Sequence, residues 1–503
     1  MSGDRSVLII DNGGYTLKAL YIPDPGNTAS QPPRQAVVPN CVGAASFAGR
    51  GIVGEQLFKM PHFHGFMLRR PVDRGFVVDA TLQSYIWEYL LQYFAIADES
   101  DVELVLTVPF AAPKQVGELL HYLVAQRFKF RALTVVSATF LALVADASRD
   151  WLHRNVHESC REDDGAGGGC GMVVDFGFSA TTVVPYVDFL PIRESAVRID
   201  VGGKLLSNRL KELISFTQVN MTEDGWLVNH IMERCCHVAL QPKAALQAAQ
   251  RQKQRGKRSS SSSVNVSGGD GGGICYGNGN SAGLRYYLPT VPPLMPLGCR
   301  EEELHAVLGG DGSGVERHEL QHLLFHHEAF LIPELLFHPV DVGIQQMGVV
   351  DAIVRGTGSR GMLRDAPTLH AALLHKIVVF GGTAKFPHLR ERLQEELRKE
   401  FTACSTSAPL QPLVKRLRMA PHAIEVEDTT TGYSAHDSEL QPLYGALALF
   451  TCPSRQPQLR LLRSRCHVDL TPLRKNKMGV GRAQASVALK TQKTLLDAMQ
   501  HLP

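Results

Sequence analysis

The spacing of apolar and polar positions along this chain shifts repeatedly between strand-like and helix-like. Residues 7–10, Val-Leu-Ile-Ile, form an unbroken apolar run that ends in Asp11-Asn12-Gly13-Gly14, and a second apolar stretch interrupted by Lys18 follows. Such a run predicts a buried strand, a tight turn whose glycines take positive φ, and a return strand. "VELVLTVP" at 102–109 and "ALTVVS" at 132–137 predict two further strands, with a helix over "LLHYLVAQRF" at 119–128 between them. Strand and helix signals alternating in this way predict an α/β fold.

The opening pattern then recurs at 171–187, "GMVVDFGFSATTVVPYV", where apolar residues again lead into an Asp-x-Gly turn and a return strand. Asp11 and Asp175 are 164 positions apart, as are Gly13 and Gly177. A duplicated domain would set two hairpins face to face across a cleft, where backbone N–H groups of both turns could hold a polyphosphate. A third element, "KIVVFGGTAKFPHLRERLQEELR" at 376–398, predicts a strand, the pair Gly381-Gly382 and an amphipathic helix. Glycines there let backbone approach a flat or anionic ligand. Each feature also has a plain structural reading, in which the aspartates cap their turns, Lys18 is a solvated strand lysine and the glycines satisfy backbone geometry.

Length changes this picture little: 503 residues exceed a single core, so two lobes with a cleft between them are expected. With 44% hydrophobic and 20% charged residues, and 52 basic against 49 acidic side chains, bulk charge does not argue for nucleic acid. No apolar run is long enough to span a membrane or to form a secretory leader, so an intracellular protein is expected. The ten cysteines include no C-x-x-C, and reduced thiols are expected. Polar stretches at 161–169, 251–273 and 309–314 predict disordered insertions. The basic run "RQKQRGKR" at 251–258 reads as a solvated loop, a nuclear import signal or a nucleic-acid patch. His318-Glu319-x-x-His322 has the spelling of a zinc-protease helix, which needs its histidines roughly 6 Å apart. On a strand, residues four apart are separated by about 13 Å and could not share a zinc.

The two Asp-x-Gly hairpins and the strand-Gly-Gly-helix resemble the actin family, whose duplicated, ribonuclease H-like ATPase fold sets two lobes around a central nucleotide cleft. Segments 69–90, 105–114, 198–214, 333–353 and 378–387 fit that family in order. The resemblance implies a first lobe of 1–155 and 441–503 with a small subdomain at 36–69. It implies a second lobe of 156–440 with a small subdomain at 199–343, which carries the 251–273 insertion. Carried over position by position, it assigns nucleotide contacts to Asp11, Gly13, Gly14, Lys18, Asp175, Gly177, Gly203, Glu233, Gly381, Gly382 and Phe386, with ATP or ADP as the ligand. Several positions depart from the family's pattern. Gly14 replaces a serine, Tyr15 a small residue, Phe178 a second carboxylate, Ser137 a glutamine, Thr182 a histidine and Met232 a lysine. Hydrated magnesium is held by carboxylates, so Phe178 argues against the metal, and no catalytic or metal-ligating residue is assigned. Phosphoryl transfer relies on positioning and charge neutralisation, so hydrolysis should be negligible.

"PELLFHP" at 333–339 and "YYLPTVPP" at 286–293 most resemble a nuclear branch of the family found in chromatin remodellers. That implies a catalytically degenerate scaffold subunit of a nuclear chromatin-remodelling complex of the histone-variant exchange type. Its partners would be other subunits and histones; direct nucleic-acid contact and a cytoplasmic pool stay open, and no membrane contact is implied. The alternative is a cytoskeletal actin-related protein with ATP binding and filament association, opposed by Phe178, Ser137 and a short loop at 40–60. A sugar kinase or chaperone ATPase would need a catalytic base or a substrate domain that is not evident. Residues 241–285 and 404–436 are expanded and 451–503 diverge from the family's ending, so partner surfaces there cannot be carried over.

Overall fold

Strands Val7–Asn12 and Thr16–Ile22 form an antiparallel hairpin in which Asp11 lies directly opposite Lys18. On its other side Val7–Asn12 pairs in parallel with Glu103–Val108, which pairs in parallel with Ala132–Ser137. Strands Arg34–Pro39 and His467–Asp469 form the two edges of this six-stranded sheet. The arrangement then repeats. Gly171–Phe176 makes a hairpin with Thr181–Val187 and pairs in parallel with Lys376–Phe380, which pairs in parallel with Arg416–Met419. The computed structural model describes residues 6–23, 33–44, 51–57, 67–157, 169–260, 283–290, 295, 297–308, 320–403, 416–419, 438–451, 463–464 and 467–470.

The apolar runs are unbroken because both sheet faces are covered. Leu8 and Ile10 face a core with Ile86, Trp87 and Leu90 of helix Ala80–Tyr93, while Val7 and Ile9 face a different one. In the second sheet Val174 and Phe176 pack with Leu206 and Leu210 of helix Gly203–Thr217, and Val173 points the other way. Those other faces meet in one shared core, built on helices Ala138–His157 and Gln441–Thr451 and joined by Val184, Val378 and Phe380 of the second sheet. The two halves are therefore fused through a common helical layer.

The far edge of the first sheet is tied down electrostatically. Buried Glu103 accepts a hydrogen bond from Thr134 at 2.8 Å and lies 3.1 Å from His467 Nδ1 and 3.6 Å from Arg463 Nη2. Burial pushes its carboxyl up, but His467, Arg463 and Thr134 outweigh that and hold it below the usual range. Residues 467–469, from the divergent end of the chain, are thus a structural strand of the first sheet.

Two expectations change. Helix Pro242–Ser260 runs into the segment read as a disordered insertion, so 251–260 are helical. Its Ala, Gln, Lys and Arg residues are strong helix formers, and Pro242 suits the first helical position. Residues 261–273 and 309–314 lie outside the described residues, as do all but Gly169 of 161–169. The helix expected over 119–128 starts earlier, at Lys114, and widens after His121 into a π-helical turn, Tyr122–Phe128. His322 sits in strand His322–Phe325, and His318 lies outside the described residues. Among the described residues no helix is long and apolar enough to cross a membrane.

The two helices of the shared layer meet at Gly445, where an added Cβ would lie 1.9 Å from the Leu141 carbonyl oxygen. Because the obstacle is backbone, Gly445→Ala should destabilise by about 2 kcal/mol or more. Thermal unfolding checks this, and a variant melting with the wild type would show that the layer is loosely packed.

Candidate functional site

The two turns and the Gly381-Gly382 corner converge on one cavity of about 520 Å³ between the halves. All eleven residues singled out in the sequence line it: Asp11, Gly13, Gly14, Lys18, Asp175, Gly177, Gly203, Glu233, Gly381, Gly382 and Phe386.

Local geometry explains the glycines. Neither Gly13 nor Gly14 is among the residues of positive φ, so the conformational reason expected for them does not hold. Space is the reason instead. A Cβ on Gly13 would lie 2.6 Å from the Thr16 carbonyl, and one on Gly14 would lie 2.7 Å from Ser179 Oγ in the opposite turn. Gly381 does take positive φ, at 106°, and abuts the Phe176 carbonyl. The amides expected to grip phosphate are partly engaged: Gly13 N donates to Asp11 O and Gly177 N to Ala180 O, each at 3.1 Å. At the start of helix Gly203–Thr217, the amides of Gly203 and Lys204 donate to the carbonyls of Gly177 and Phe178.

Charge in the cavity is balanced internally. Lys18 Nζ is 3.4 Å from Asp11 Oδ2 and 3.8 Å from Glu439 Oε2. Burial disfavours its ammonium, but Asp11 and Glu439 outweigh burial and hold its pKa above the ordinary lysine value. The second Asp11 oxygen accepts from Thr107 Oγ1 at 2.7 Å. Glu439 also lies 2.7 Å from Lys385 Nζ. The lining carries four carboxylates, Asp11, Asp175, Glu233 and Glu439, against three cations, Lys18, Arg198 and Lys385. A polyanion entering here would meet no excess of positive charge.

Aromatic rings fill the junction between the turns. The Tyr15 ring lies 4.9 Å from Phe178 and stacks at 5.7 Å on Trp226. The Arg70 guanidinium sits 4.6 Å from the centre of the Tyr15 ring and 5.3 Å from that of Phe178. Burial first, then Glu233, push the Tyr15 phenol up, and its hydroxyl shares a hydrogen bond with Asn229. Ser137 faces away from any ligand: its Oγ accepts from the Phe140 amide at 3.2 Å and bonds the Tyr186 hydroxyl.

The size of the cavity and its wall of Gly203, Met232, Glu233, Gly381, Gly382 and Phe386 suit a nucleoside. The phosphate and metal end does not fit a magnesium nucleotide. Lys18 is paired, Phe178 supplies no carboxylate, and the remaining acid, Asp175, is itself perturbed. Partial enclosure in the cleft wall and the nearby Asp11 push Asp175 up to about 7. Among the described residues no cluster of side chains forms a metal site. Arg70, Trp226, Asn229, Lys385 and Glu439 were not singled out from the sequence. Trp226, one of three tryptophans, offered a faint compositional signal, whereas Glu439 comes 423 positions after its partner Thr16.

Two duplicated α/β halves around a glycine-walled cleft define a two-lobed fold of the actin-like ATPase class. The chain belongs to the actin family, which its residues 2–224 and 217–425 match. It is similar to Actin-related protein 6 of Oryza sativa subsp. indica, with 29% identity over 419 residues covering 79% of this chain and 86% of the rice protein. Actin-like protein arp6 of Emericella nidulans is 30% identical over 426 residues, covering 78% of this chain and 83% of its own length. Actin-related protein 6 of Dictyostelium discoideum is 26% identical over 477 residues, covering 90% of each.

Asp175 makes a pH test of the cleft. Its folded pKa of about 7 exceeds the ordinary 3.8, so the folded chain holds this proton more tightly than the unfolded one. Stability from this group is present at low pH and falls as pH rises from about 4 to about 7. Asp175→Asn should therefore melt above the wild type at about pH 8, with the gap closing near about pH 4. Thermal unfolding at the two pH values reads this, and a gap independent of pH would contradict it.

Proposed function

We propose that this actin-family chain is a catalytically silent scaffold subunit of a nuclear chromatin-remodelling assembly of the histone-variant exchange type. The observation that carries the loss of catalysis is Phe178, whose ring packs on Tyr15 where hydrolysis in this fold calls for a carboxylate. Ser137, bonded as a helix cap, and Thr182 leave the water-positioning places without the glutamine and histidine that the family's pattern has there. Phosphoryl transfer depends on those parts acting together, so restoring one of them rescues little. Relatives named Actin-related protein 6, matched over most of their length, support the branch of the family on which this reading rests. Other remodeller subunits are the expected direct partners, with histones reached through the assembled complex. The basic run at 251–258 falls on helix Pro242–Ser260, and nuclear import or nucleic-acid contact is the role proposed for that helix.

Two measurements test the reading. Phosphate release by the purified chain should match buffer, with Asp175→Asn causing no change; turnover abolished by that substitution would establish an active ATPase. The tagged full chain should sediment alone as a monomer and be recovered from nuclear extract in stoichiometric amounts with remodeller subunits. Salt-dependent filaments, or recovery only with cytoskeletal proteins, would favour the filament-associated reading instead. Deleting 451–503 is a poor test of partner binding, because it removes strand His467–Asp469 from the first sheet.

A further inference from the structure

We infer that the cleft is latched shut by its own side chains, so that the closed arrangement of the two halves requires no bound nucleotide. The latch has three parts, each joining residues of the first half to residues of the second.

The first part is apolar and lies across the mouth of the cleft. Cys41 and Leu57 from the first half pack with Trp226 from the second, flanked by Tyr15, Ile52 and Leu68 on one side and Leu297 on the other. Cys41 and Leu57 are fully buried and Trp226 is 5% exposed, so this contact excludes water. A cleft that opened and closed around a ligand would have to expose this surface in every cycle, and apolar area removed from water resists that exposure.

The second part is the stack of Arg70, Tyr15, Phe178 and Trp226. Arg70 also donates to the Tyr15 carbonyl at 3.0 Å, which fixes the guanidinium over the two rings. Tyr15 belongs to the first turn and Phe178 to the second, so the rings bridge the two places a polyphosphate would link. The turns meet beside the rings as well, with Gly14 against the Ser179 hydroxyl. Beside the stack, Lys204 pairs with Asp73 at 3.0 Å and Arg198 donates to the Arg74 carbonyl at 2.8 Å.

The third part is Glu439. Its carboxylate sits where the first turn meets the Gly381-Gly382 corner, accepting from Thr16 Oγ1 at 3.4 Å and facing Lys18 at 3.8 Å and Lys385 at 2.7 Å. An anion placed among a turn hydroxyl, a buried lysine and a second lysine does the electrostatic work of a phosphate group. Here the anion is covalently part of the chain. The same position that a nucleotide would stabilise by binding is stabilised permanently.

The inference holds whether or not the chain serves a remodeller, since a scaffold could equally be clamped by nucleotide. The test therefore reads nucleotide and closure directly on the purified full-length chain. Denaturation followed by chromatography should release fewer than about 0.1 nucleotides per chain, and millimolar ATP or ADP, with or without magnesium, should move Tm by less than about 1 °C. Close to one nucleotide per chain, or a rise of more than about 3 °C, would overturn the inference. Trp226→Ala should speed amide exchange on the order of tenfold in peptides from both sides of the mouth, 36–44 and 226–235, as the halves separate. If that variant does not fold, Arg70→Gln, which removes only the cation of the stack, is read in the same way. Exchange unchanged on both sides would mean that these contacts do not hold the cleft.

Discussion

Burial of strand Val7–Asn12 on both faces is the constraint from which the rest of this structure follows. Because alternate residues face different cores, Leu8 and Ile10 commit one face to the first half while Val7 and Ile9 commit the other to the helical layer shared with the second half. Gly171–Phe176 is held in the same way, with Val173 on the shared side. Neither strand can slide by one residue without moving its apolar set to the wrong core. The ends of both strands are therefore fixed relative to each other, and the turns that follow them meet. The cleft is a consequence of that registry.

Once the turns meet, the first hairpin places a buried cation opposite a buried acid, Lys18 across from Asp11. A buried charge needs compensation from more than one neighbour, and one Asp11 oxygen is already occupied by Thr107. Glu439 completes the balance from a helix that itself belongs to the shared layer's sequence neighbourhood, just ahead of Gln441–Thr451. At Asp175 burial and the Asp11 charge outweigh the more modest help from Lys18 and Arg198, and its displacement toward neutrality follows from that balance. One phosphate-type turn thus holds the Lys18–Asp11 ion pair, while its duplicate holds a carboxyl pushed up to about 7.

The duplicated strands, the turn residues and the Gly-Gly corner were legible in the sequence because each is a local pattern, and these residues line one cavity together with Gly203, Glu233 and Phe386, which only the family resemblance pointed to. The reason given for Gly13 and Gly14 was not legible, since close approach by Ser179 and Thr16 is a tertiary fact that mimics a need for positive φ. Arg70, Trp226 and Glu439 carry no local signature and acquire their roles only when distant segments meet. Residues 251–260 show the opposite failure. Their polar composition reads as disorder over a long window, yet helix propensity summed along Pro242–Ser260 is strong, and the preceding helical turns remove the nucleation penalty.

The proposed loss of catalysis and the proposed latch rest on one shared position, 178. A carboxylate at 178 would demand water and a cation beside it, and the second turn would have to stay apart from Tyr15 to admit them. An aromatic ring makes the opposite demand, since its favourable state is dry and in contact. With Phe178 in place, the stable position of the second turn is against the first, and Arg70 closes over both rings. The geometry that best satisfies Phe178 sets a dry ring where a carboxylate and its hydrated ion would otherwise sit. Contacts of this kind favour a single closed shape, which is the property that the proposed scaffold role asks of a surface spanning both halves.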